Sequence, residues 1–495
     1  MPQRIDWGKK REQDALRTLG RVYTEARERL LDQIINSKDM DAKRYADSIL
    51  RALTAEMERL EQLSAEYVDA RVPEAYKEGL EAVQQYFADQ GKPLRPPGAF
   101  AVLHNEAIYT LAAELQYQLS GGIAQAGRRA RRYVDAARDE ALRRAGLESA
   151  AVKMASGGTI TDMQRIMIKR LQTEGFLTVQ YGDGPAARQV PLDVYAMTCA
   201  RSTTREAGNI ARENQMEANG FDLMEMTRHY PTCEICAPLQ GRVYSISGKD
   251  KRFPPLSRAF PVGYHNVHPN CRHVLVPWIE ELKSPAEVAA AEQQGRAPFN
   301  DPRSEQETAL YNQQQAEGRQ LRADLNQYDR MRAVLGDDAP KTFKAFRTLK
   351  ATGGELWELT HLDYVRRNRL LQHPELALPG AERAVAPTNK FVKFLFNPDH
   401  PIGWPKGVAI THRLGYNIDN WTELKDEILR RAPMYPVRAK GEDQYGKRYE
   451  QLIIAYGKHG NPANMIVAWN VTADGANMST AYIKEVERSG KGKGQ

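Results

Sequence analysis

RHYPTCEICAPLQGRVYSISGKDKRFPPLSRAFPVGYHNVHPNCRHVLVPW, residues Arg228–Trp278, decides how the rest of the chain is read. Three of the four cysteines lie in it, Cys233, Cys236 and Cys271, with four of the ten histidines. Cys233-x-x-Cys236 turns tightly enough for two thiolates to meet one ion. His268-x-x-Cys271 can close a tetrahedron from the far side of a long loop, and this ligand set points to zinc. The loop is longer than in common zinc fingers, and His229, His265 and His273 are alternatives to His268. The thiols could instead be simply buried, or pair as a disulfide outside the cell. No HExxH occurs, and no Glu stands beside the ligands as in the zinc deaminases, so the expected ion is structural and its site closed.

Upstream of this stretch the pattern is helical. Leu16, Leu19, Tyr23, Ala26, Leu30 and Ile34 recur at three- and four-residue steps, and Tyr45, Ile49, Leu53, Met57, Leu60, Ser64 and Tyr67 form a second stripe. The expectation is a helical hairpin or coiled-coil arm, residues 1–90, with more apolar surface than it can bury alone and therefore packed on another subunit. Gly91–Gly98 breaks the pattern. Helices are expected over Val102–Leu119 and, after Gly121-Gly122, Ala124–Arg144, the second with Arg128, Arg129, Arg131 and Arg132. This arginine cluster could meet DNA phosphates, but nearby Asp135, Asp139 and Glu140 favour a solvated face. Thr159–Asp162 starts another helix. Leu177–Tyr181 is a strand, Val194–Asn219 a helix carrying Cys199, and Asp222–Thr227 and Val274–Trp278 are short strands around the cysteine loop.

Downstream, Glu280–Gly336 is polar and reads as helical segments between domains, and a Pro- and Ala-rich stretch ends near Thr388. From Ala386 the pattern becomes two helices, Trp404–Leu414 and one from Trp421, followed by strands at Pro436–Lys440, Lys447–Tyr456, Met465–Val471 and Ser479–Glu485. The expected domains are 1–90, 99–280, 281–385 and 386–495. The fold class is multidomain, mainly α in the N-terminal and middle region, with a small α+β Cys/His-rich module and a C-terminal α+β domain. The whole chain, at 495 residues, 41% apolar and 27% charged, fits a soluble protein of roughly three domains. No apolar run approaches the ~20 residues that span a bilayer, no secretory signal is visible, and four cysteines make no disulfide framework, so a reducing cytoplasm is expected. The net charge of +7 permits contact with nucleic acid without requiring it.

The runs DVYAMTCARSTTREAGN, HYPTCEICAPLQGRVYSISG and HPNCRHVLVPW, with TITDMQRIMIKRLQTEG before them and NDPRSEQETALYNQQQ after, resemble in their order the phage minor capsid protein 2 family. That family is related to the Mu F-like head morphogenesis proteins. The resemblance covers most of the chain to about Gln320. It implies a structural, portal-proximal protein of a tailed-phage head, assembled in the bacterial cytoplasm and carried in the capsid interior. Its partners would be portal and capsid proteins, with self-association through the N-terminal helices and phage DNA nearby. The Cys/His stretch would then staple the capsid module.

The last hundred residues are similar to a second group. Lys390, Asn397-Pro398-Asp399-His400-Pro401, Gly403, Lys406, Leu414-Gly415-Tyr416, Trp421, Tyr445–Tyr449, Trp469 and Thr480-Ala481-Tyr482 resemble a terminal domain of phage capsid proteins and polymorphic toxins. That domain is grouped with the barnase–EndoU–colicin–RelE nucleases, and the resemblance implies RNA as substrate and catalysis without a cofactor. Such cleavage needs a base for the 2′-hydroxyl, an acid for the 5′-oxygen and cations for the phosphorane. His400 suits the acid or base, Lys390, Lys406 and Arg448 supply charge, and Thr480 or Tyr482 a hydroxyl. Residues 385–495 hold 16 Lys and Arg against 11 Asp and Glu, five of the chain's seven net charges. The alternatives are a head protein whose last domain only binds nucleic acid, and a polymorphic toxin using a phage-like module. The ordered match across the first 320 residues argues against the toxin.

Overall fold

A computed structural model describes residues 11–36, 42–96, 101–147, 163–170, 177–182, 184–260, 267–444 and 446–485. Met1–Lys10, the expected helix start Thr159–Asp162, His265 and Tyr445 lie outside the described residues. The chain folds as two compact units: Met1–Glu140 with Glu174–Gln320, and Ala141–Thr173 with Leu321–Gln495.

The first unit is built on long helices, α1 (Glu12–Asn36), α2 (Ala42–Asp89), α3 (Ala101–Leu147) and α4 (Leu192–Ala218). The two N-terminal stripes form as the periodicity predicts. Leu19, Ala26 and Ile34 on α1 and Tyr45, Leu60 and Tyr67 on α2 are almost wholly buried, and Tyr23 shares a hydrogen bond of 2.6 Å with Ser64 across the hairpin. These stripes do not wait for another subunit, because both helices also pack on α4. The α2–α4 packing is tight at two glycines. A Cβ on Gly79 would stand 2.5 Å from the carbonyl oxygen of Gly208 and 2.8 Å from the Ala211 methyl.

The expected interruption at Gly121-Gly122 is absent, and α3 runs through it unbroken. Gly122 is there for proximity: a Cβ would lie 2.6 Å from the ring of Tyr195. A helix tolerates one such glycine at about 1 kcal/mol. Strands β1 (Thr178–Tyr181) and β2 (Arg188–Pro191) make an antiparallel hairpin. Strands β3 (Leu223–Met226), β4 (Val243–Ser245) and β5 (Leu275–Pro277) form an antiparallel sheet in the order β4-β3-β5. Each strand borders the cysteine loop, since β3 leads to Cys233, β4 follows Cys236 and β5 follows Cys271. Helix α5 (Pro285–Arg296) starts at a capping box made by Ser284 and Glu287. At its far end Arg242 donates to Ala297 O at 3.0 Å and Pro298 O at 2.9 Å, to Gln294 O, and back to Pro238 O at 2.7 Å. One guanidinium thus ties the helix to the loop beyond Cys236.

Helix α6 (Glu305–Leu335) leads into the second unit, followed by α7 (Phe343–Thr352) and α8 (Gly354–Gln372). Gly353, at φ 65° and ψ −147°, takes a positive-φ conformation open to glycine, and it separates these two. A π-helical turn, Lys390–Leu395, precedes α9 (Gly403–Leu414) and α10 (Trp421–Arg431). Four antiparallel strands then run as a meander: β6 (Val437–Asp443), β7 (Gly446–Tyr456), β8 (Pro462–Thr472) and β9 (Gly475–Ile483). Helices followed by an antiparallel sheet are the arrangement expected for this end of the chain. Trp469, Ile453, Met465 and Ala481 from one sheet face pack on Phe391, Leu395, Ile410, Leu424 and Ile428. The same core reaches back beyond Ala386 to Leu359 on α8.

Candidate metal centre and C-terminal site

Cys236 and Cys271 are buried among Met224, Met226, Tyr244, Leu275 and Phe260, beneath the small sheet of the first unit. Their sulfurs are 3.9 Å apart, close to the ~3.8 Å edge of a tetrahedron with metal–sulfur bonds of about 2.3 Å. Cys233 accepts the backbone N–H of Cys236 at 3.4 Å, as a CxxC turn allows, and meets His268 Nε2 at 3.2 Å. On the other side Cys271 meets His273 Nδ1 at 3.5 Å. The donor atoms form two triads that share Cys236, Cys233–Cys236–His268 and Cys236–Cys271–His273, with all ligand atoms in each within 4.8 Å of one another.

The electrostatics suit a cation. Hydrogen bonding from the Cys236 thiol, against the effect of burial, holds Cys233 down at about 4 and Cys271 at about 3. Cys236, between the two, is pushed up. The hydrogen bond of His268 to Cys233 raises the imidazole's pKa. Thiols that favour the thiolate in a buried pocket suit a divalent ion, whose sulfur bonds would take the place of these hydrogen bonds. The residues fit zinc by donor type; of the sequence-predicted ligands, Cys233, Cys236 and His268 fall in one triad and Cys271 in the other, with Cys236 common to both. What the spacing did not reveal is Gln240, whose Oε1 accepts the His229 backbone N–H at 2.9 Å and faces His273 Nε2 at 3.0 Å. Its only sequence signal is position, four residues after Cys236. His229 itself turns away, with Nε2 on the carbonyl oxygen of Arg272 at 2.9 Å.

In the second unit the candidate residues divide. Lys406 on α9 donates to Thr480 Oγ1 at 3.3 Å and stands 5.0 Å from the centre of the Tyr482 ring and 5.4 Å from that of Phe394. Burial lowers its pKa. His400 meets the other edge of the same Phe394 ring, 4.5 Å between centroids. Two glycines permit this packing, because a Cβ on Gly403 or Gly407 would collide with the carbonyl oxygens of Phe394 and Leu395. Lys406, Thr480, Tyr482 and, through Phe394, His400 therefore make one group. Lys390 opens the π-helical turn and shares no hydrogen bond or ring contact with them. Arg448 is opposite Asn470 on β8, which pairs in turn with Asn477 on β9, so it stands roughly 12 Å from Thr480 by strand spacing.

His400 has a further restriction. Its Nδ1 accepts the backbone N–H of Gly403 at 3.1 Å, at the start of α9. That leaves the proton of a neutral imidazole on Nε2, so His400 can donate a hydrogen bond while this contact holds but cannot take up a proton at either nitrogen.

Among the described residues no helix is long and apolar enough to cross a membrane. No curated protein and no solved structure matches the chain. Residues 377–485 match DUF6883, a domain of unknown function, which assigns the second unit no chemistry and carries its nuclease resemblance no further. The ordered motifs from the N-terminal helices through the CxxC and HPNCRH segments are those of the sequence family described as phage minor capsid protein 2. Its profile covers residues 16–352, well over half of the sequence, and the chain belongs to that family.

Proposed function

We propose that this chain is a portal-proximal structural protein of a tailed-phage head, whose first unit is held together by a structural zinc ion. Family membership makes it a virion component that associates with other head proteins. The observation that carries the zinc reading is the pair of Cys/Cys/His triads sharing Cys236 beside a three-stranded sheet. Cys233, Cys236, Cys271 and one histidine would hold the ion. When bound, the metal supplies cross-linking energy to strands of only three or four residues, which cannot hold a long loop by themselves. Portal and capsid proteins are the proposed partners, and self-association would use surface other than the α1 and α2 stripes, which are buried. On α3, Val102, Tyr109 and Tyr117 are exposed by 72%, 76% and 81%. Mass spectrometry of purified virions tests the placement: peptides from this chain at a few copies per portal support it, and their absence refutes it.

The second unit, on this reading, carries a metal-independent ribonuclease site centred on Lys406. Lys406 would face the phosphorane charge, with the Thr480 hydroxyl beside it and His400 donating from Nε2. The 2′-oxygen would attack phosphorus as its proton passes to water, and the bond to the 5′-oxygen would break as that oxygen takes a proton from water, with the His400 Nε2–H hydrogen-bonded to a phosphoryl oxygen. A binding-only role is the second reading, favoured by the engagement of His400 Nδ1 with Gly403. RNA decay by the full chain in excess EDTA separates them. Cleavage supports the ribonuclease, and binding without cleavage supports the alternative.

A further inference from the structure

We infer that the fourth ligand of the zinc ion proposed above is His273, through Nδ1, and that His268 stands outside the ion as a hydrogen-bond donor to Cys233. The inference depends on the zinc reading and decides between two imidazoles that both reach a thiol. A neutral imidazole can bind a metal only through a nitrogen with a free lone pair, its proton being on the other nitrogen. Which nitrogen holds the proton is fixed by neighbouring groups whose own roles are unambiguous.

At His273 the neighbour is Gln240. A backbone N–H can only donate, so the Gln240 side-chain atom 2.9 Å from His229 N is the amide oxygen. The same oxygen is 3.0 Å from His273 Nε2, which must therefore carry the proton. The lone pair is left on Nδ1, 3.5 Å from Cys271 Sγ. The ring is only 4% exposed, so packing fixes this orientation. A ligand histidine whose remote N–H is held by a fixed acceptor is the usual construction of a metal site.

At His268 the logic reverses. Nδ1 accepts the backbone N–H of Asn270 at 3.2 Å, so the proton is on Nε2, the atom 3.2 Å from Cys233 Sγ. Binding a metal through Nε2 would move that proton to Nδ1 and set it against the Asn270 N–H, losing one hydrogen bond and opposing two donors. As placed, His268 Nε2–H instead donates to the thiolate, a charge-assisted bond that tempers the sulfur's negative charge. Cys236, Cys271 and His273 already lie within 4.8 Å of one another; Cys233, from the other triad, would complete three sulfurs and one nitrogen when the metal binds, with Gln240 and His268 as positioning residues.

Cobalt(II), added to the full-length, metal-free protein, gives the test through its visible tetrahedral d–d bands and its thiolate charge-transfer absorption. Competition with a chromophoric chelator gives zinc affinity. His273→Ala should alter the d–d envelope and weaken zinc more than 10-fold. Gln240→Leu should weaken it about 10- to 100-fold with the ligand set intact. His268→Ala should keep the band positions, with less than a 10-fold change. His273→Cys, which offers a fourth sulfur, should restore tetrahedral cobalt and so distinguishes a lost ligand from a lost fold. Loss of the spectrum in His268→Ala with retention in His273→Ala, or equal loss in both, overturns the assignment. Failure of the unaltered protein to bind one equivalent of cobalt or zinc refutes the zinc reading itself.

Discussion

Arg431 donates to Asp338 at 2.9 Å across 93 residues of sequence, and the arginine side chain is wholly buried. Asp338 also accepts from Arg367 at 2.6 Å. Arg367 in turn reaches Asp363 at 2.8 Å, where the Tyr435 and Tyr456 hydroxyls donate at 2.5 and 3.0 Å. Glu427 accepts from Arg431 as well, at 2.8 Å. The network joins the chain before α7 to α8, α10 and β7. Such a network is not strong evidence of net stabilisation, but removing one member leaves its partners buried and uncompensated.

Asp338→Ala should therefore destabilise the second unit by about 3–5 kcal/mol, seen as a lower urea midpoint. Burial works against the Asp338 carboxylate, but Arg431 and Arg367 outweigh it and hold its pKa below the usual value. A depressed acid contributes stability above its unfolded pKa and loses it as pH falls through the folded one. The wild-type advantage over Asp338→Ala should be full at neutral pH and shrink below about pH 4. An advantage that grows toward low pH would contradict the pairing.

Removing the metal should soften the first unit. Elemental analysis is expected to find one zinc per chain, and a strong chelator should lower the melting temperature of that unit while leaving the second unit's transition in place. Zinc affinity should fall between pH 7.5 and 5.5, because binding must displace the proton that Cys236 retains. Cys236→Ser removes the sulfur common to both triads and should abolish stoichiometric binding.

The α2–α4 crossing offers a test of packing alone. Gly79→Ala adds one methyl against the Gly208 carbonyl and the Ala211 methyl and should cost about 1–3 kcal/mol. Gly121→Ala, where nothing lies within 4 Å, should instead stabilise α3, by about 1 kcal/mol. Thermal unfolding of the two variants checks both signs.

Lys406 separates function from stability. Burial disfavours its charged form, a cost to folding that is present at neutral pH and relieved as pH rises through the lowered pKa. Lys406→Met should leave the melting temperature unchanged or higher while eliminating RNA cleavage or, on the second reading, weakening RNA binding. His400→Asn offers Gly403 a side-chain acceptor again and should retain the α9 start. If it also retains full cleavage, His400 contributes structure alone.

The helices were legible because their apolar stripes are long and regular, and the four terminal strands because turn residues separate them. Strand β2 was missed, since Arg188–Pro191 has only four residues and no apolar alternation. Gly121-Gly122 misled because a glycine pair reads as a break, whereas the real constraint was the Tyr195 ring 73 residues later. The approach of Cys233, Cys236 and Cys271 to histidines was readable from spacing. The tautomer of each histidine was not, because it depends on what Asn270 and Gln240 present to each ring. Likewise, no local pattern marks Asp363 and Arg431 as buried, since charged residues on helices are ordinarily solvated.

The helix that carries Asp363 has a bearing on inheritance. Helix α8, Gly354–Gln372, falls between the two family matches, one ending at residue 352 and the other starting at 377. A terminal domain transplanted from residue 377 would arrive with Arg431 in its interior and neither aspartate to meet it. A transplanted sheet is therefore expected to fold stably only when the cut lies ahead of Asp338, so that α8 travels with the strands it packs on.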